Sequence, residues 1–250
     1  MRHLLFALAL AAPGLSGAQQ LLEFREDLAF SPAEVAAQGV RAYGARLQTL
    51  KMAGKLDPDP GLKARLQRIV PPLLRAAAFE RPAAARLPWE VHACTNCDEN
   101  ASAQPGGKLL VSADFVARNR LSDDELAYLM AHEIAHVLAE HTREFATAAR
   151  YFLDNGLARG YWDIRQELDE SLPAALRMQA LGEQQELEAD YMGFLIGARA
   201  GFEPLAMLGL LGKLEGGNGI VRSHPSGQRR VAQARAMLEA ARRLRQSVRR

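Results

Sequence analysis

The sequence predicts an α+β fold, mostly helical, with a small sheet placed beside one central helix. Three observations predict it. Apolar residues recur at helical spacing over most of the chain, behind capping-box signals at Ser31-Pro32-Ala33-Glu34 and Ser122-Asp123-Asp124-Glu125. Only two stretches, 89–94 and 108–112, read as strands, and Pro105-Gly106-Gly107 forces a turn between them. The 250 residues are 48% hydrophobic and 24% charged with a formal net charge of +2, an ordinary globular composition that excludes a disordered, collagenous, coiled-coil or polytopic membrane chain. No nucleic-acid partner is expected.

Residues 4–12 form the only sustained apolar run, too short for the roughly 20 residues that span a bilayer. Arg2 precedes it, a Pro13-Gly14 break follows, and small residues stand at Ser16 and Ala18, which is the layout of a secretory signal over residues 1–18. Gln19 rather than cysteine follows the cut, which sets aside a lipoprotein; a retained anchor and a buried helix are the competing readings. The expected mature chain, 19–250, is a soluble exported domain of the bacterial periplasm.

Proline at the first helical position after Ser31 starts a helix expected to run to about Ala53. Asp57-Pro58-Asp59-Pro60 breaks the chain, and Leu62, Leu66, Ile69 and Leu73 recur at helical spacing until Pro71-Pro72 disturbs the end. Val91-His92-Ala93 leads as a strand into Cys94 and Cys97, the chain's two cysteines, and Asp98-Glu99-Asn100 follows as a turn. A zinc ribbon needs a second such pair and a redox site needs a helix start, so a local disulfide in an oxidising compartment is expected.

The helix after Ser122 carries Leu126, Leu129, Met130, Ala131, Val137 and Leu138 at helical recurrence, and within it His132-Glu133-Ile134-Ala135-His136, the pattern HExxH. Histidines four apart lie one turn and about 6 Å apart on nearly one face, so two imidazoles can grip one ion. Zinc suits neutral imidazole nitrogen, and a catalytic site uses three protein ligands with a fourth position open for water. Glu133 projects beside the two histidines, placed to accept a proton from water attacking a carbonyl. His141, five residues past His136, falls about 140° round a continuing helix and faces away. Glu186 and Asp190, in Glu186-Leu187-Glu188-Ala189-Asp190, share one helix face, so that one carboxylate can bind metal while the other takes the second N–H of a ligand histidine. Glu183 could substitute as ligand but lacks an Asp four residues on.

HExxH followed some fifty residues later by ExEAD resembles the HtpX/CAAX-prenyl-protease family of zinc metallopeptidases, which belongs to the gluzincins. Asn100-Ala101 with Pro105-Gly106-Gly107 resembles the family's NAxxxPGG turn before an active-site edge strand, residues 121–125 its helix start, and His224-Pro225 with Arg230 its HPxxxxR motif. The resemblance runs from about Gln38 to Ala240. It implies a gluzincin-type fold, one Zn2+ per subunit on His132, His136 and Glu186, Glu133 as general base, and Asp190 as the outer carboxylate. It also implies that His224 serves as oxyanion donor or as a fourth ligand that holds the enzyme latent, with the segment to Arg230 supplying a donor to the developing oxyanion. The chain lacks the family's multiple membrane spans and the C-terminal tetratricopeptide array of some relatives, and is similar to minimal exported peptidases of envelope quality control.

The expected activity is a zinc endopeptidase acting on unfolded or misassembled envelope proteins; the alternative is a chaperone-like binding protein on the same scaffold with little hydrolysis. Zinc storage fits poorly, because three ligands leave a position open. Residues 108–112 are expected to form an exposed edge strand that pairs with extended substrate. Glu188 reads as a solvated face, and Trp89 and Trp162 as core. Arg242, Arg243, Arg245, Arg249 and Arg250 read as dipole-complementing charges, with peripheral contact to the envelope membrane or outer-membrane assembly machinery as the other possibility.

Overall fold

A helix whose every face is apolar or chemically specialised must sit inside the molecule, and Asp123–Leu138 does so. In the computed structural model, which describes residues 28–215 and 227–248, this helix begins on a complete capping box: the Ser122 hydroxyl accepts from the Glu125 N–H and the Glu125 carboxylate from the Ser122 N–H. Leu126, Tyr128, Met130 and Ile134 along it are wholly buried.

In chain order the elements are α1 (Pro32–Met52), α2 (Pro60–Glu80), β1 (Glu90–Cys94), β2 (Ala101–Gln104), β3 (Lys108–Ser112), α3 (Ala113–Arg118), α4 (Asp123–Leu138), α5 (His141–Ala149), α6 (Tyr161–Glu170), α7 (Leu172–Arg177), α8 (Gln179–Arg199), α9 (Leu205–Glu215) and α10 (Gln228–Val248). The main apolar core joins α2, the sheet, α4, α8, α9 and α10, and a second cluster joins Phe30 and Val35 to α5, α6 and α7. No described helix is long and apolar enough to cross a membrane. The signal segment 1–18 lies outside the described residues.

Pro71 and Pro72 do not end α2, which continues to Glu80. The carbonyls that they leave unbonded belong to Gln67 and Arg68, four residues back on the exposed face, where water can serve them.

The sheet order is β1-β3-β2, with β1 parallel and β2 antiparallel to β3. Residues 108–112 therefore form the central strand and not the expected edge. The sequence Lys-Leu-Leu-Val-Ser is buried at all five positions, as a strand covered on both faces must be; Lys108 lies at its end, with its amine on Glu90 and on the Pro88 carbonyl. The strand beside α4 is β2, whose Ala-Ser-Ala-Gln carries no apolar signature. Gly106 and Gly107 turn β2 into β3 at φ 89° and 75°, conformations open to glycine. The sulfurs of Cys94, the last residue of β1, and of Cys97 are at disulfide distance, 2.06 Å. Trp89 packs on the core and donates its ring N–H to the Ala84 carbonyl, whereas Trp162 is 51% exposed and is not core.

Candidate metal centre

Two helices must pass close for a histidine pair on one to meet a carboxylate on the other. Glycine makes that approach possible here: a Cβ at Gly193 of α8 would stand 2.9 Å from the His132 backbone nitrogen, and one at Gly197 would stand 2.4 Å from the Tyr128 ring. The stripe Ala189-Gly193-Gly197 thus lets α8 lie against α4 almost backbone to backbone, and it carries Glu186 and Asp190 to the HExxH face.

His132, His136 and Glu186 converge there, each offering a ligand atom within 4.8 Å of the others. The His132 and His136 Nε2 atoms are 3.0 Å apart; His132 Nε2 is 3.4 Å from Glu186 Oε2, and His136 Nε2 is 3.3 Å from Glu186 Oε1. Ligands about 2.0–2.1 Å from a tetrahedral ion stand roughly 3.3 Å from one another, so the three side chains already have the spacing that zinc demands. Donor chemistry agrees, with two imidazole nitrogens and one carboxylate. So does charge: among the described residues, buried Glu133, Glu186 and Asp190 set three carboxylates against the guanidinium of Arg230, leaving an excess of two negative charges for a divalent cation.

Asp190 takes the place expected of an outer carboxylate. Its Oδ1 lies 3.0 Å from His132 Nδ1, where a carboxylate favours the proton on Nδ1 and leaves the Nε2 lone pair for an ion. Arg230 of α10 braces both acidic residues: Nε and NH2 donate to Asp190 at 2.6 and 2.8 Å, and NH1 lies 2.9 Å from Glu186 Oε2. Burial alone would raise the Asp190 carboxyl, but the Arg230 and His132 hydrogen bonds outweigh it and hold it below the usual carboxylate range. Burial likewise opposes the charge on Arg230, and Asp190 overcomes it. His132, where burial opposes charge but Glu186 and Asp190 prevail, is pushed up to about 10 without metal, so the pocket draws in positive charge. Arg230 stands as a brace behind the ligands, joined to two of the residues that shape the site. Glu133, 1% exposed, lies on α4 next to His132. His224 lies outside the described residues.

His141 does not face away. Helix α4 stops at Leu138, Glu140 turns left-handed (φ 54°, ψ 31°), and His141 opens α5 with its Nδ1 2.8 Å from His136 Nδ1. The 140° offset holds only for a continuous helix, and the break lacks the glycine or asparagine that signals one. Glu188 is not a solvated face either, since its Oε2 is 3.3 Å from His141 Nε2. Beside His136 opens a cavity of about 150 Å³, lined among others by Val35, Leu87, Ala103, Pro105 and Val137. Of the C-terminal arginines, Arg242 pairs with Glu239, and Arg245 with Glu203 and the Gly201 carbonyl.

The chain matches the profile of Peptidase family M48 over residues 60–238. The mitochondrial metalloendopeptidase OMA1 of Arabidopsis thaliana is 32% identical over 163 residues, covering 62% of this chain and 33% of the relative. The protein of that name from Saccharomyces cerevisiae is 32% identical over 160 residues, covering 60% and 45%, and that from Schizosaccharomyces pombe 29% over 155 residues, covering 58% and 45%. The aligned part of the chain thus spans a third to under half the length of these curated relatives.

Proposed function

The chain belongs to peptidase family M48, whose members are zinc metallopeptidases, and from that premise we propose that it is an exported endopeptidase cleaving unfolded or misassembled polypeptides of the bacterial envelope. The observation that carries the catalytic part is the meeting of His132, His136 and Glu186 at zinc spacing, with Glu133 next to His132 on the same helix. Zinc held by these three residues supplies Lewis-acid polarisation of a carbonyl and acidifies water. Glu133 then accepts the attacking water's proton on a carboxylate oxygen and passes it to the departing amine nitrogen. Asp190 and Arg230 keep His132 and Glu186 aimed during that transfer.

The preference for unfolded substrate is supported by β2. Ser112 N–H donates to the Asn100 carbonyl at 2.9 Å, so by antiparallel alternation Ser102 and Gln104 bond to β3, while the Ala101 and Ala103 main-chain groups point to the outer side. Ala103 also lines the cavity next to His136. An extended peptide adding along that side gains main-chain bonds whatever its sequence, and only unfolded chain has such bonds to offer. Export is read from residues 1–18, which have the layout of a cleaved signal.

Purified protein with zinc, assayed on casein, should hydrolyse it; Glu133→Gln should keep the metal and lose at least about a hundredfold in turnover. Casein bound but uncut by the zinc-loaded wild type would favour a chaperone-like protein. Comparing envelope proteomes of cells carrying the active and the Glu133→Gln chain would identify the substrates.

A further inference from the structure

The two ligand histidines are held from behind by different means. His132 Nδ1 faces a carboxylate, Asp190, at 3.0 Å, whereas His136 meets a second imidazole. His136 must present a lone pair at Nε2, the atom facing Glu186 and His132, so its proton sits on Nδ1. At 2.8 Å that N–H donates to His141 Nδ1, which must then be the unprotonated nitrogen of its own ring. The His141 proton is left on Nε2, where Glu188 Oε2 accepts it at 3.3 Å. One assignment satisfies every member, and it ends on a charge.

The surroundings fix this chain of bonds in place. His141 is 3% exposed, and its ring meets that of His136 edge to face with centroids 4.8 Å apart. Its carbonyl accepts from the Gln185 amide at 3.1 Å, and the same amide donates to Glu144 at 2.8 Å, so the start of α5 is tied to the residue just before ligand Glu186. Glu140, the left-handed residue that swings His141 back, is held by Arg143 at 2.6 Å, and Arg143 in turn donates to the Phe30 and Leu28 carbonyls.

We propose that His141 and Glu188 form a relay that holds His136 in one tautomer and one ring orientation, and so set how tightly the chain keeps its metal. Both are positioning residues. The inference rests on the zinc reading of the site and is independent of the identity of the substrate. Outer partners of metal-binding histidines typically change affinity 10- to 100-fold, and the relay places His141 in that range.

The test is zinc affinity by competition with a chromophoric chelator, on the full chain. His141→Phe, which fills the space but accepts nothing, should bind about 10- to 100-fold more weakly. His141→Asn, whose Oδ1 accepts near where Nδ1 does, should recover most of the loss, a rescue that a merely space-filling role would not give. In the cobalt-substituted protein, the shifted exchangeable ring N–H resonance of His136 should be present in wild type and His141→Asn and lost to solvent exchange in His141→Phe. Should His141→Phe fail to fold by circular dichroism, Glu188→Ala, at the quarter-exposed end of the relay, carries the test with a several-fold loss. Folded His141→Phe or Glu188→Ala protein with zinc affinity within about twofold of wild type would overturn the relay while leaving the metal site intact. A wild-type chain that bound no zinc would remove the site reading, and the relay with it.

Discussion

Replacing Gly193 by alanine tests whether the crossing of α4 and α8 sets the ligand geometry. The added Cβ would stand 2.9 Å from the His132 nitrogen, 3.0 Å from its Cα and 3.1 Å from the Ala131 carbonyl carbon. Non-bonded carbons settle about 3.5–4.0 Å apart, so the helices must part by roughly 0.5–1 Å. All three obstacles are backbone atoms, and no change of rotamer relieves them. Over-packing of this kind costs about 1–3 kcal/mol. Glu186 lies seven residues before Gly193 on the same helix and moves with it. Its oxygens, now 3.3 and 3.4 Å from the ligand nitrogens, would leave the ~0.2 Å tolerance of a zinc site. A 10- to 100-fold loss of zinc affinity, about 1.4–2.8 kcal/mol, is expected. Urea unfolding of the metal-free protein and a zinc competition titration measure the two effects separately. Gly197→Ala supplies the contrast, because its obstacle is the Tyr128 ring at 2.4 Å: combined with Tyr128→Leu it should regain most of its lost stability, whereas no such partner exists for Gly193→Ala. Wild-type stability and zinc affinity in Gly193→Ala would refute the reasoning.

Three further outcomes are expected. Ala103→Pro removes an outward N–H of β2 and should cut casein hydrolysis while the melting temperature holds, whereas Ser102→Pro breaks the ladder to β3 and should lower it; equal cleavage by Ala103→Pro and wild type would move substrate off this edge. Reduction should add two hydrogens to the mass across Cys94 and Cys97 and lower the unfolding free energy by about 2 kcal/mol, the chain-entropy value for so short a loop; an unchanged mass would show free thiols instead. Burial would raise the Glu125 carboxyl, but Lys213 and the Ser122 N–H hold it below its ordinary value, so its stabilisation is present above the unfolded pKa of about 4.3 and is lost as pH falls through the lower folded value. Glu125→Gln should therefore cost about 1 kcal/mol at neutral pH in the metal-free protein and progressively less in acid, and a pH-independent difference in urea midpoint would contradict this.

What could be read from sequence shares one property: it is local. Ser122 to Glu125 announces the start of α4 because a capping box is complete within four residues. HExxH and Glu186 with Asp190 are legible because an ion or a shared face demands particular residue types one turn apart. The sheet order was not legible, because β2 is Ala-Ser-Ala-Gln and is made a strand by its partner, not by its own propensity. His141 was misplaced because one left-handed residue, Glu140, redirects everything after it, and nothing about glutamate advertises that conformation. By propensity alone glycine is a weak helix residue, and only the approach of α4 shows why a side chain has no room at Gly193 and Gly197.

The ligand Glu186 and the outer partners Glu188 and Asp190 all ride on α8, so one rigid element sets the third ligand and the last support of each ligand histidine together. Helix α4 holds the other half of the site, and the glycine crossing is the joint between them. Metal affinity and fold stability are then two readings of the same joint. An ion that binds only the folded chain stabilises it by RT ln(1 + [L]/Kd), about 4.1 kcal/mol at a thousandfold excess over Kd. That exceeds the roughly 1–3 kcal/mol assigned to over-packing at Gly193. Saturating zinc therefore keeps such variants folded, but one that binds 10- to 100-fold more weakly gains about 1.4–2.8 kcal/mol less than wild type, so the gap between them is smallest without metal and widens as zinc becomes saturating. A variant at Ala103, which is neither a ligand nor a support of one, should show the opposite pattern: wild-type stability with or without zinc, and a defect seen only when a peptide must be held.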